Sequence, residues 1–500
     1  MKLLKTKKTE FFTWLALLIS CLLLYFIATD YAIFPRSYKL PLLYLILVLI
    51  CITGIISLIS RKGWGYFSIA LNLLLALCMI TGLVLLPNIE KRIRSIFKDV
   101  KTDEVVYNVY TTNSKYKEDF NSFSNSSFIV QTKNDLENQQ NAIDQVKEAL
   151  ENSSLRIINK EDIVSAVEAL YNNEGDLLIL NEVYVDMIEE IEKFSNFSND
   201  TRIVYTITKE VEVIEEEKPF DRDITNAMFT VYVAGEDTRS GRLSIYGRTD
   251  VDIVVNVNPV TKQIMIVGIP RDTYIPNPAK DYGMDKLTHL GNDGIQNTMK
   301  GVSEYYKIDI DYYGVVNFGT FKSIVNALGG LDIDNPYTFY SGQYSFPKGE
   351  LHLNGDSALV YCRERYNLSN GDYGRSEHQT IVLKAIIQKL MSTESISHFD
   401  ELLSALQGQF LTNIAVDDIY KLVAMQIEDN SKWDIISYHM GGKGDMMGTA
   451  SMGWNRHLYV VHPLESQVRF IQDETEKMKN NEIISQQILP NEDDTTFIPN

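Results

Sequence analysis

Three apolar runs near the N-terminus, residues 11–29, 40–60 and 66–86, constrain this chain more than any other feature. Each approaches the ~20 residues that a helix needs to cross a bilayer. A signal peptide with buried core helices is the competing reading, but three successive runs exceed anything a signal peptide needs. Lys2, Lys5, Lys7 and Lys8 precede the first run, and Arg61 and Lys62 separate the second from the third. Both clusters belong on the cytoplasmic side. Three crossings of the cell membrane then deliver everything after residue 87 to the outside. Lys91, Arg92, Arg94 and Lys98 follow the third run, against the usual charge bias. Long domains translocate largely regardless of flanking charge, and these cations suit anionic headgroups of the membrane lipid.

The first 100 residues carry 12 Lys/Arg against 4 Asp/Glu, net +8, which leaves −27 for the rest of a chain of net charge −19. So acidic a remainder argues against a nucleic-acid partner, which wants a basic surface. Of 4 cysteines only Cys362 lies beyond the apolar runs, so that remainder can form no disulfide within itself. A length of 500 residues leaves room for two or three domains.

After the membrane region (1–100), residues 104–220 read as a small α+β accessory domain, with strands at 127–131 and 202–213 and helices at 134–151 and 162–171. Nothing in it has a chemical signature, and its charge reads mostly as solvated surface. An acidic linker ending in Pro219 closes it. Residues 225–476 read as α/β. Strands are expected at 229–233, 251–257, 264–269, 312–316 and 331–333, and helices at 292–306, 318–328, 354–362 and 375–391. Pro276, Asn277 and Pro278 mark a turn-rich loop, 363–372 a polar loop, and the polar tail 480–500 reads as disordered.

Charge gathers at the ends of the first three strands: Asp237 and Arg239, then Arg248 and Asp250, then Arg271 and Asp272. If these strands are neighbours, two or three carboxylates and three guanidiniums converge on one rim of a sheet. Carboxylates suit a hard divalent cation and arginines suit phosphate oxygens, so the stretch points to metal-assisted phosphate chemistry. A second cluster holds Arg363, Arg365, Asp372, Arg375 and Gln379. Arg375 and Gln379 are four apart and share a helix face, in first turns where free amides and the dipole favour an anion. Arg363 and Arg365 would point the same way in an extended segment. For any single arginine, a surface salt bridge is the plainer reading. No Walker loop is present, since 441–444 lacks the Lys-Ser/Thr ending, so a nucleotide is not the expected donor. Cys362 sits in an apolar helical context that reads as core, not nucleophile.

The segments GEDTR (235–239), GRTD (247–250), IPRDTYI (269–275), KLTH (286–289), DYYGVVNFGTFKSIVNALGGLDI, LNGDSALVYCRER and DYGRSEHQ resemble, in order, motifs of the LytR-CpsA-Psr family. The resemblance covers about residues 225–390 and extends towards 475. Three spans followed by an accessory domain look like the capsule-type branch from streptococci and their relatives. The resemblance implies an extracellular α/β domain with a central mixed β-sheet flanked by helices. Such a domain binds a polyprenyl-pyrophosphate-linked polysaccharide and transfers it, with its linking phosphate, to a peptidoglycan sugar hydroxyl.

By that resemblance Asp237 and Asp250 hold the metal. Arg248, Arg271, Arg363, Arg365 and Arg375 bind the pyrophosphate, with Asp372 and Gln379 beside them. Lys286 opens the family's third motif and joins the pyrophosphate set, although Leu-Gly follows KLTH where an aromatic is frequent. Arg239 and Asp272 are second-rank candidates. A groove for the lipid tail is also implied, around Val315, Phe318, Phe321, Ile324, Val325 and Leu328 and the helix carrying Ile381 and Ile386. An ordinary core has the same sequence signature.

Together these readings describe a phosphotransferase assisted by Mg²⁺ (or Mn²⁺) at the outer membrane face. The arginines, Arg271 foremost, stabilise the departing polyprenyl phosphate, and Asp250 or Asp372 takes the proton of the attacking sugar hydroxyl. Expected partners are the lipid-linked polysaccharide, peptidoglycan, membrane lipid and other capsule-synthesis proteins. Two alternatives stay open: a membrane-anchored regulator of capsule synthesis that binds lipid-linked intermediates without catalysis, and a polyprenyl pyrophosphate phosphatase with water as acceptor.

Overall fold

The computed structural model describes residues 2–30, 36–60, 64–96, 102–212, 222–236, 243–368, 372–392, 402, 405–406 and 410–490. They fall into two compact units. One holds Met1–Lys98, Arg222–Asn226 and Ile414–Trp433, and the other Asp99–Asp221, Ala227–Asn413 and Asp434–Asn500.

The first unit is built on helices α1 (Lys2–Asp30), α2 (Arg36–Ile59) and α3 (Trp64–Ile96). Each carries a stretch long and apolar enough to cross a membrane: Lys7–Asp30, Ser37–Ile59 and Trp64–Leu85. Only 22%, 17% and 17% of these stretches is buried, so side chains such as Phe12, Leu45, Leu58 and Leu77 face outward. Acyl chains, not water, suit such a surface. Polar contacts tie the helices together. Trp14 Nε1 donates to the Ile50 carbonyl at 3.0 Å, Lys7 Nζ to the Ser57 carbonyl at 2.7 Å, and the Ser57 and Ser68 hydroxyls lie 2.8 Å apart. Interhelical hydrogen bonds of this kind contribute about 0.6–2 kcal/mol each in a bilayer.

The second unit begins with a five-stranded sheet of order β3-β2-β4-β1-β5. Its strands are β1 (Thr102–Thr112), β2 (Ser127–Gln131), β3 (Arg156–Lys160), β4 (Leu177–Asn181) and β5 (Thr201–Glu212). Helices α4 (Leu136–Ala149) and α5 (Ile163–Tyr171) accompany it, the latter capped by Asp162, whose carboxylate accepts from Ser165 N at 2.7 Å. Short helices α6 (Val185–Glu189) and α7 (Phe197–Asp200) lie between β4 and β5. Strands β1, β3 and β4 were not expected from sequence. The run LLILN of β4 suits helix and strand alike, and its pairing with β1 and β2 decides.

A six-stranded mixed sheet follows, in an α/β arrangement. In chain order come β6 (Phe229–Glu236), β7 (Thr249–Asn258), β8 (Gln263–Ile269), the hairpin β9 (Tyr274–Asn277) and β10 (Gly283–Lys286), then α8 (Leu287–Leu290), α9 (Ile295–Tyr306), β11 (Tyr312–Asn317) and α10 (Phe318–Ala327). Next are β12 (Leu331–Asn335), the small hairpin β13 (Phe339–Ser341) and β14 (Tyr344–Phe346), β15 (Gly349–Leu353), α11 (Gly355–Arg363) and α12 (Asp372–Leu390). Strands β16 (Phe410–Thr412), β17 (Asp434–His439), β18 (Gly442–Thr449) and β19 (Gly453–Pro463) and a helix, Glu465–Lys479, complete the unit. The sheet order is β16-β11-β6-β7-β8-β17. β6, β7 and β8 are antiparallel neighbours, whereas β11 runs parallel to β6 and β17 parallel to β8. The C-terminal ends of β6, β8, β11 and β17 therefore share one rim with the start of β7. A core cluster including Tyr232, Val254, Met265, Val267 and Val302 packs on the sheet. Helix α12 lies close against β8 because Gly268 has no side chain: a Cβ there would sit 2.5 Å from Thr380 Oγ1.

Three local expectations change. The segment at Pro276–Pro278 is not a loop: Tyr274–Asn277 pairs antiparallel with Gly283–Lys286. The long helix expected from 375 starts at Asp372, so Arg375 is its fourth residue and Gln379 its eighth; Gln379 therefore lies beyond the free amides. The tail expected to be disordered from residue 480 is ordered as far as 490. Ile484 is 4% exposed, and its backbone N–H and carbonyl bond to the Gln263 side chain at 2.9 and 2.8 Å. Gln486 accepts from Ser437 N and donates to Ser437 O, both at 3.0 Å, which satisfies the outer edge of β17. Residues 491–500 lie outside the described residues.

Candidate functional site

The strand order brings the charged ends together on the rim. Asp250 is the second residue of β7 and Arg271 lies two residues past β8. Arg271 Nη1 donates to Asp250 Oδ1 at 2.5 Å. Burial alone would favour the neutral acid at Asp250. The neighbouring Arg271, Arg248 and Arg375 outweigh it and hold the carboxylate below its usual range. Arg375 enters from α12, as does Gln379, whose Nε2 lies 3.5 Å from the Asp250 carbonyl and 3.4 Å from that of Cys362. Arg375 and Gln379, far away in sequence, thus meet Asp250 on one rim.

From Arg271 the charges alternate. Its Nε lies 4.0 Å from Asp272 Oδ2, and Asp272 Oδ1 lies 2.6 Å from Lys286 Nζ. Lys286, 3% exposed, also donates to Glu190 Oε2 at 2.9 Å. Glu190 Oε1 in turn accepts from Arg248 Nη2 at 2.6 Å. Arg248 faces Asp250 electrostatically, so the chain of opposite charges returns to its start. Burial opposes ionisation of Glu190, but Arg248, Lys286 and His289 overcome it and hold this carboxyl well below the ordinary range.

Glu190 is an exception to the reading of residues 104–220 as mostly solvated charge. It follows α6 at the edge of the five-stranded part, yet its carboxylate serves two cations of the six-stranded part. Sequence gives no signal for it beyond one acid among several. A further buried pair stands behind: His289 Nδ1 lies 2.7 Å from Asp285 Oδ1, and Asp285 also accepts from Ser451 N at 3.1 Å.

Arg363 and Arg365 do not form the extended pair expected. Arg363 is the last residue of α11, with its guanidinium 4.3 Å from the centroid of the Phe318 ring, just past β11 on the same rim. Arg365 lies over Tyr366 at 4.5 Å. Such cation–π contacts hold the planar head in place. Asp372 is the first residue of α12. Asp237 and Arg239 lie outside the described residues. Cys362 is buried, which pushes its thiol pKa up and leaves it a core residue.

The residues proposed for a lipid groove separate by burial. Val315, Val325 and Leu328 are fully buried, with Val315 in the main core and the other two in a second cluster beneath α10 to α12. Phe318, Phe321, Ile324, Ile381 and Ile386 are half-buried.

Among the described residues no three His, Cys, Asp or Glu are grouped to hold a metal by themselves. Mg²⁺ rarely uses such a cage; it takes one or two carboxylates and completes its shell with phosphate and water. An ionised rim carboxylate such as Asp250 fits that donor set.

The LytR_cpsA_psr family matches residues 197–463. A polyisoprenyl-teichoic acid–peptidoglycan teichoic acid transferase TagU of Enterococcus faecalis is 36% identical over 219 residues, covering 43% of this chain and 72% of that protein. The transferase TagU of Bacillus subtilis is 30% identical over 280 residues, covering 55% of this chain and 86% of its own length. The crystal structure of B. subtilis TagV aligns with a TM-score of 0.42 and 27% identity over 52% of this chain and 99% of that one.

Proposed function

The chain belongs to the LytR-CpsA-Psr family, and on that premise we propose that it attaches a polyprenyl-pyrophosphate-linked glycopolymer to peptidoglycan. The observation that carries this reading is the gathering of Arg271, Arg248 and Arg375 around one ionised rim carboxylate, Asp250. A pyrophosphate presents several anionic oxygens, and guanidinium forks bind such oxygens bidentately. Arg271 and Arg375 would grip the bridging region, with Arg363 and Arg365 closing over the outer oxygens. An acceptor sugar hydroxyl would attack the phosphorus attached to the glycan. The new O–P bond replaces the bond to the departing polyprenyl phosphate, whose growing charge the arginines neutralise.

A carboxylate held firmly in its ionised form is a weak proton acceptor. That suits Asp250 to metal and arginine binding and makes Asp372 the candidate base for the sugar hydroxyl. Mg²⁺ held by Asp250 and Asp237 would supply further charge neutralisation at the phosphate. The three membrane helices would keep the enzyme in the bilayer that holds its donor, with the N-terminus cytoplasmic and the second unit extracellular. A capsular polysaccharide is the proposed polymer, since three spans and an accessory domain resemble the capsule-type branch. Teichoic acid, named for the relatives, is the second candidate.

The test is reconstitution. Full-length protein with Mg²⁺, lipid-linked polymer and peptidoglycan should release polyprenyl phosphate and leave polymer covalently on the wall. A regulator releases nothing, and a phosphatase releases polyprenyl phosphate with no polymer attached. A folded Arg375→Ala protein that still attaches polymer at the wild-type rate would refute the mechanism.

A further inference from the structure

Next to the phosphate site, between the five-stranded and six-stranded parts of the second unit, lies a cavity of about 850 Å³. This is within the ~300–1,000 Å³ typical of small-molecule sites. Its lining mixes apolar side chains such as Val105 and Val183 with polar and acidic ones. Tyr110, Tyr116 and Asn138 face it from the five-stranded part, Tyr246 and Asn292 from the other, and Arg248 closes the end towards Asp250. Five carboxylates line it against two guanidiniums, Arg202 and Arg248.

We infer that this cleft binds the neutral glycan strand of the acceptor, a β-1,4-linked amino-sugar oligomer, and feeds its hydroxyl past Arg248 to the phosphate site. The identity of the sugar as acceptor rests on the transferase reading; the existence of the glycan site does not. Several features select this ligand. Sugar rings present apolar faces that suit tyrosine rings and hydroxyls that suit side chains able to accept, as carboxylates and amides do. The excess of carboxylates repels a phosphate-bearing polymer, so the anionic donor chain is the wrong occupant. Continuity decides the direction: Arg248 belongs both to the cleft and to the ring of charges through Glu190 and Asp250.

Chitotetraose, a neutral β-1,4 N-acetylglucosamine oligomer, is the probe, titrated into full-length protein in nanodiscs by calorimetry or ligand-observed NMR. Wild type should bind it, and Tyr116→Ala and Tyr246→Ala should each weaken binding by at least about tenfold, or 1.4 kcal/mol. Tyr116 is 47% exposed, so its loss should not unfold the protein. No binding at roughly 5 mM probe, well above a millimolar Kd, overturns the inference. So does unchanged binding by both variants, or binding of an isolated peptidoglycan stem peptide in place of the sugar. Binding is read without turnover, so the two readings fail separately. Protein that binds chitotetraose through these tyrosines but attaches no polymer refutes the transferase alone. Protein that attaches polymer while both variants bind normally refutes the cleft alone.

Discussion

Arg271 Nη1 and Asp250 Oδ1 meet at 2.5 Å across the ends of two antiparallel strands that are neighbours in the six-stranded sheet. Both side chains are mostly out of water, at 14% and 22% exposure, so the pair is more than a surface ion pair. Removing one member leaves the other poorly solvated.

Arg271→Ala should therefore lower both activity and stability. Polymer attachment should fall by on the order of 10²–10³-fold, the scale for losing one donor to a developing anion. Unfolding free energy should drop by about 3 kcal/mol. Adding Asp250→Asn should restore part of that stability, since the orphaned charge is gone, and none of the activity. Circular dichroism and urea melts measure one, and polyprenyl phosphate release the other.

Glu190→Gln should separate two roles of the ring of charges. The wild-type carboxyl is held below its ordinary pKa in the fold, so its stabilisation is present above the unfolded value of ~4.3 and is lost as pH falls towards the folded value. The variant should be less stable at pH 7 and show a shallower loss below about pH 4. Arg248 and Lys286, freed from an internal anion, should bind inorganic pyrophosphate more tightly, on the order of tenfold. Urea melts across pH and pyrophosphate titration read these outcomes.

His378 should set a second pH window. Its ring stacks on Tyr361 with centroids 3.9 Å apart, and Nδ1 lies 2.9 Å from the Tyr361 carbonyl, which makes Nδ1–H the donor. Nε2 is buried without a partner. Burial lowers its pKa to about 4, so the folded state refuses a proton that the unfolded chain accepts near ~6.5. Stability should be flat above that pH and fall between about 6.5 and 4, with a limiting slope of about 1.4 kcal/mol per pH unit. His378→Phe should flatten this window, as thermal melts in a pH series would show.

Cys362 should be chemically silent. Burial raises its thiol pKa, so iodoacetamide should not inactivate the native protein. Cys362→Ala should keep attachment within about twofold and cost about 1 kcal/mol, the scale of a small core truncation. Both follow from activity assays and melts on alkylated and mutant protein.

Features that depend on local pattern were legible in the order of residues. Three apolar runs are long enough to span a bilayer whatever follows them, and β-branched runs ending in Asp and Arg specify strands with charged ends. Family motifs also placed Asp250 and Arg375 in one phosphate site. Which charges meet depends on packing between distant segments. Glu190 stands 58 residues before Arg248 and 96 before Lys286, in a stretch with no motif, and becomes part of the site when the five-stranded part packs beside the rim. The same holds for Ile484, polar in its surroundings by sequence but buried against Gln263. A charge or an apolar side chain carries no label for its partner. Whether it ends in water, in an ion pair or in a core depends on the surface that folds against it, and that surface comes from distant segments.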